Sequence, residues 1–179
     1  MSAEAYLPLA LREFARLQQL ADRALAQLPA DAFFASPAPG DNSIAQILKH
    51  VGGNLLSRWT DFLTTDGEKP DRDRDTEFTI SPADTRDRLL SLWNRGWAAL
   101  FHALTPLQSS DLAHTVTIRG EPLTVVQAIQ RQLTHYAYHV GQIVYVAKHF
   151  AGPRWQSLSI APGQSAAFNR SPKKYLDKS

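Results

Sequence analysis

Cysteine is absent from all 179 residues of the chain. That absence removes disulfides, thiolate metal ligands and a cysteine nucleophile together. It also fits a reducing compartment, so a cytoplasmic location is expected. Long apolar runs are missing as well. Nothing approaches the roughly 20 consecutive apolar residues that span a bilayer. The opening MSAEAYLPLALREF has neither the basic flank nor the unbroken apolar stretch of a signal peptide, so no membrane partner is expected. Charge of one sign is scarce: 19 Lys and Arg against 17 Asp and Glu leave a formal +2. No helix carries a basic stripe with interleaved aromatics, so nucleic acid is not an expected partner. The motifs HExxH, GxSxG, the phosphate-binding P-loop and GxGxxG do not occur. None of Glu4, Glu13, Glu68, Glu77 or Glu121 has a histidine three residues later, which excludes the ExxH pairs of a bundle di-iron centre.

What is present reads as one domain over residues 1–179, with a C-terminal extension from about 155. The periodicity predicts four long helices. The first covers about Ala5 to Leu28, with Leu7, Leu11, Phe14, Leu17, Ala21 and Ala24 on one face. The second starts at an N-cap, Ser43, with Gln46 completing a capping-box pattern, and carries Ile47, Val51, Leu55, Trp59 and Phe62. A polar connection, Thr64 to Ile80, is long enough to cross the molecule. The third helix is predicted from Ser81-Pro82, with Leu89, Trp93, Trp97, Leu100 and Leu104 on its apolar face. His114, Val116 and Ile118 then alternate with Thr115, Thr117 and Arg119 before Gly120, which predicts a small β-hairpin. The fourth helix is predicted from about Leu123 to Phe150, followed by a short helix in GQSAAFNR. The expected fold class is all-α: a four-helix bundle, up-down-down-up, with a small β-hairpin before the last long helix. Residues 151–179 carry a net +4, from Arg154, Arg170, Lys173, Lys174 and Lys178 against Asp177, and read as a solvated basic end.

Chemistry concentrates in three histidines. His135 and His139 lie four residues apart in QLTHYAYHVGQIVY, so their rings project from one face of the fourth helix, one turn apart. His50 occupies a comparable setting on the second helix, in IAQILKHVGGNLL. Gln132, His135, His139 and Gln142 form one polar stripe, and Gln46, His50, Asn54 and Ser57 form another. Burying such stripes unpaired costs a few kcal/mol, so facing each other would bring the imidazoles together. A divalent metal suits three converging imidazoles. Asn54, Gln132, Gln142 and Gln46 are then candidates to orient the ring nitrogens turned away from it. The bland alternative for the pair is a hydrogen-bonded polar layer. Gly52 and Gly53, just after His50, point to a close approach by a helix, a metal or a ligand, or to plain helix packing.

With these residues in view, the chain resembles the DinB-like (YfiT-like) superfamily of four-helix-bundle proteins. The shared features are the helical order, the long second crossover, the hairpin before the last helix and the His…HxxxH pattern. The segments RDRDTEF and SLSIAPGQSAAFN resemble a subgroup of uncharacterised function. The resemblance implies a divalent metal, zinc or nickel, held by His50, His135 and His139, and a homodimer. Some members of that superfamily transfer small thiols such as bacillithiol or isomerise substrates with mycothiol.

The expected function is metal-assisted activation of water or a small external thiol, for hydrolysis or thiol transfer on a small-molecule substrate. Glu77, in the crossover, is the candidate general base, with Asp75 beside it. Two other classes of function stay open: a non-catalytic protein in which the metal braces the fold, and a stress-response or interaction module using the basic tail.

Overall fold

The computed structural model describes residues 3–170. Lys173, Lys174, Asp177 and Lys178 of the basic tail lie outside the described residues. The elements run α1 (Ala3–Leu25), α2 (Ile44–Trp59), α3 (Arg86–Leu104), β1 (Thr115–Ile118), β2 (Glu121–Thr124), α4 (Val125–Ala151) and α5 (Ser165–Arg170), with short 3-10 turns between them. The protein is thus mainly helical, with a two-stranded antiparallel hairpin directly before its longest helix. No helix among the described residues is long and apolar enough to cross a membrane.

Helix starts follow local capping chemistry. Ser43 Oγ accepts from the Gln46 backbone N–H at 3.3 Å, and Gln46 Oε1 accepts from the Ser43 N–H at 2.8 Å. Thr124 and Gln127 repeat this reciprocal pair at the start of α4. Such a cap contributes about 1 kcal/mol. Two predicted boundaries are corrected. The third helix does not begin at Ser81-Pro82. The Asp84 carboxylate instead accepts from Ser81 N–H at 2.8 Å and Ser81 Oγ at 2.9 Å, closing a separate turn, and Thr85 then caps α3. Leu123 belongs to β2 and not to α4, because Thr124 is the capping residue. The hairpin turn uses Arg119 and Gly120 at φ 59° and 73°, the pair of positive values that matches the twist of adjacent strands.

α1 packs along α4, α2 along α3, and α2 also touches α4. The core between them is aromatic. Trp97 is fully buried, with ring centroids 5.5 Å from Trp93, 5.6 Å from Tyr136 and 6.5 Å from Phe14. Each such ring removes enough surface from water to contribute at most about 4–6 kcal/mol. α2 and α3 approach closely at small residues. A Cβ on Gly52 would stand 2.7 Å from Leu92 Cγ, and one on Gly96 would stand 2.8 Å from Leu55 Cβ. The crossover folds back over α2. Ser57 Oγ donates to Gly67 O at 2.8 Å, and Gly67 N–H donates to Thr117 O of β1 at 2.8 Å. This lays the turn Asp75–Phe78 against α2 beside His50.

Candidate metal centre

The contact of α2 with α4 brings His50, His135 and His139 together. His135 Nε2 is 3.4 Å from His50 Nε2 and 3.1 Å from His139 Nε2. One ligating atom from each ring lies within 4.8 Å of the others. His50 and His139 are buried and His135 is half-buried.

The remaining nitrogens decide what these rings present to one another. His50 Nδ1 is 2.8 Å from Glu77 Oε2. An ionised carboxylate only accepts, so Nδ1 carries a proton, and in the neutral ring Nε2 holds a bare lone pair. His139 Nδ1 donates to Gln142 Oε1 at 2.8 Å, while Gln142 Nε2 donates to the Tyr138 hydroxyl at 3.2 Å. His139 Nε2 is therefore also a lone pair. Two lone pairs face the third ring, whose Nδ1 is buried without a partner. Hydrogen bonds among three such nitrogens cannot give each lone pair a donor of its own, because the third ring has one N–H to share between them. A divalent ion can bind every lone pair at once, since neutral imidazole nitrogen is a preferred donor for zinc and similar metals. The two Nε2 separations from His135 fit one ion as well. Three nitrogens about 2.1 Å from one centre stand about 3.0–3.4 Å apart for angles between octahedral and tetrahedral.

The surroundings disfavour the charged forms of His135 and His139. Burial, reinforced by the Arg58 and Arg72 guanidiniums and by any charge on His139 or His50, pushes the His135 pKa down to about 3. Burial also takes His139 down to about 4, against a raising hydrogen bond from Gln142. Burial by itself would raise the Glu77 carboxyl. The hydrogen bonds from His50 and Arg72, with the Arg72 charge, outweigh it and hold the group below the usual glutamate value.

Glu77, read from the sequence as a general base, stands on the far side of His50 from the converging nitrogens. Its oxygens also accept from Arg72 at 2.8 and 2.9 Å, so it is placed to orient the ring. Gly53 makes this possible: a Cβ there would stand 3.1 Å from Glu77 Cδ and closer still to Oε1. Asp75 is exposed in the same turn. Gln142 Oε1 meets a ring nitrogen, Nδ1 of His139. Asn54 and Gln132 hold each other instead, with Gln132 Nε2 2.7 Å from Asn54 Oδ1, and both join the Tyr136 hydroxyl. Gln46 Nε2 donates to Phe78 O at 2.8 Å. Phe78 in turn stacks on His50 with ring centroids 4.7 Å apart. Sequence reasoning missed Phe78, Arg72 and the buried Arg58. Only Arg58 left a signal, completing the four-residue steps His50, Asn54, Arg58 along α2.

This is a helical protein in which two helices converge three imidazoles, backed by a carboxylate and an amide. The chain belongs to the family described as Protein of unknown function (DUF1572), whose model matches residues 1–164. That span contains all three histidines, Glu77 and Gln142. No curated protein matches the chain.

Proposed function

We propose that the protein is a DinB-like metal-dependent enzyme. Its four long helices form an up-down-down-up bundle, and a divalent ion, zinc or nickel, is held by the Nε2 atoms of His50, His135 and His139. The observation that carries this reading is the convergence of the three Nε2 atoms, two of them with lone pairs imposed by Glu77 and Gln142. Bound there, the ion supplies Lewis acidity that favours the deprotonated form of a coordinating water or thiol.

The chain's own residues prepare the site. Glu77 holds the His50 Nδ1 proton, and Arg72 holds Glu77. Phe78 covers one face of the His50 ring and keeps water from it. Gln142 performs for His139 the service that Glu77 performs for His50. A cavity of about 170 Å³ is lined by His50 and His135, among other residues, which supports an open centre over a closed structural one. The absence of cysteine means that any thiol is a cosubstrate from outside the chain. The reaction that fits is therefore hydrolysis, or transfer of a small thiol, on a small molecule.

The deciding experiment is elemental analysis of the wild-type chain beside the His135→Ala/His139→Ala double variant. About one equivalent of zinc or nickel in the first and none in the second is the expected result. No metal in either, even after reconstitution, makes the histidines a polar layer and removes the reading.

A further inference from the structure

The cavity beside the histidines is walled by arginine. Arg58, Arg72, Arg74, Arg119 and Arg131 line it together with His50 and His135, and no carboxylate is among its lining residues. These guanidiniums come from α2, from the crossover, from the hairpin turn and from α4. Gathering five like charges in one concavity is unfavourable unless something negative answers them.

The carboxylates that touch them stand behind the wall. Glu68 accepts from Arg58 at 2.8 Å and from Arg119 at 3.1 Å, and also contacts Arg72 at 3.3 Å. Glu77 takes Arg72, and Glu121 lies 3.8 Å from Arg131. Arg74 sits over the Phe78 ring, 5.6 Å from its centroid. Five arginines against Glu68, Glu77 and Glu121 leave two positive charges over, before any ion binds the histidines. The donors are also incompletely used: Arg58 is 5% exposed, and its Nε has no hydrogen-bond partner.

Two parts of the wall behave differently. Arg58 and Arg72 are buried along their side chains and fixed by ion pairs and, for Arg58, by a hydrogen bond to Gly67 O. Arg74, Arg119 and Arg131 are exposed. Planar guanidiniums pair with phosphoryl and carboxylate groups through two parallel hydrogen bonds. At about 170 Å³ the space suits a head group and not a whole ligand, since pockets for complete ligands run to about 300–1,000 Å³.

We propose that the substrate carries a compact oxyanion, phosphoryl or carboxylate, gripped by this arginine pocket so that the neighbouring part of the molecule lies at the histidines. The assignment rests on the metal-centre reading for the chemistry but not for the grip. An anion in the pocket also offsets the repulsion between five arginines and a divalent ion. The two ligands therefore strengthen each other, and by the same factor in each direction.

The test is calorimetric titration of inorganic phosphate, and separately of malonate, into the full chain, metal-free and zinc-loaded, at constant ionic strength. The Arg74→Gln/Arg131→Gln variant is titrated alongside, because both residues are exposed and its melting temperature reports that the fold is kept. Saturable binding to the metal-free chain, weakened about 10-fold or more in the variant, is expected. A response to phosphate alone identifies a phosphoryl substrate, and one to malonate alone a carboxylate. Absence of saturation by either up to about 10 mM overturns the proposal, as does equal binding by the variant. Zinc uptake without oxyanion binding overturns the pocket and leaves the metal centre standing. Oxyanion binding in a chain that takes up no zinc supports the pocket while removing the metal centre.

Discussion

One turn apart on the same two helices lie two buried polar groups with opposite properties. Asn54, Gln132, Tyr136 and Trp59 form a closed set. The Tyr136 hydroxyl receives Trp59 Nε1 at 3.0 Å and Gln132 Nε2 at 2.9 Å, and donates to Asn54 Oδ1 at 3.1 Å. Beside it, His50 and His139 are anchored at their outer nitrogens, His135 Nδ1 has no partner, and the three Nε2 atoms converge. A polar layer whose members hydrogen-bond to one another stabilises and specifies the packing of α2 against α4. One that gathers lone pairs has been left ready for a cation. Both use the same contact between helices, and the direction of the hydrogen bonds alone separates structure from chemistry.

Chelation separates the two most sharply. Removing metal from the wild-type chain lowers stability by about 3–4 kcal/mol when the ion was present at a hundred to a thousand times its dissociation constant. It leaves the His135→Ala/His139→Ala variant unchanged. Thermal melts with and without chelator check this. Next in size is Glu77→Gln, which removes the ionised acceptor behind His50 and weakens metal binding about 10–100-fold in a competition titration. An unaltered affinity would show that the carboxylate serves only Arg72. Tyr136→Phe acts on the other group. It strands Trp59 Nε1 and removes one of the two donors to Asn54 Oδ1, costs about 1–2 kcal/mol in denaturant unfolding, and leaves metal content at the wild-type level.

Acid gives the finest distinction. His135 and His139 have folded pKa values lowered to about 3 and about 4, below the 6.5 of the unfolded chain. As pH falls below 6.5 the unfolded chain takes up protons first. The stability contributed by these neutral rings is full above that pH and is lost as pH falls towards the folded values, at about 1 kcal/mol per pH unit for each ring. In the closed group the tyrosine is pushed upward by burial, so it does not titrate in this range. The metal-free wild-type chain should therefore destabilise between pH 6.5 and 4 more steeply than His135→Ala/His139→Ala. Equal slopes would remove the distinction.

What could be read in advance divides along the same line. The i, i+4 pairing of His135 with His139 and the support of His139 by Gln142 are both properties of a single helix turn, so spacing reveals them. Glu77 was noticed, but its task was not, because its partner His50 lies 27 residues away and the crossover path decides which end of the ring it meets. Asn54 and Gln132 were assigned to the histidines because they share their stripes. The intervening Tyr136 hydroxyl draws them to itself. The boundary at Ser81-Pro82 differs for a related reason: Asp84 captures the Ser81 N–H and makes a turn where a cap would stand. The arginine pocket had no local signature, since its members come from four separate elements.

The sequence by itself determined the helices, the capping residues that start α2 and α4, the hairpin before the last helix, and the donor type. With no cysteine present, a soft-ligand site was never available, and imidazoles at helical spacing remained. These are matters of composition and of neighbours within one turn, where covalent geometry sets the distances. Tertiary structure alone decided which nitrogen of each ring faces its partners, which carboxylate stands behind His50, and that five arginines surround the opening. Those outcomes depend on groups far apart in the chain. Their positions are set by the packing of α2 on α4 and by the path of the crossover, and no local periodicity encodes either.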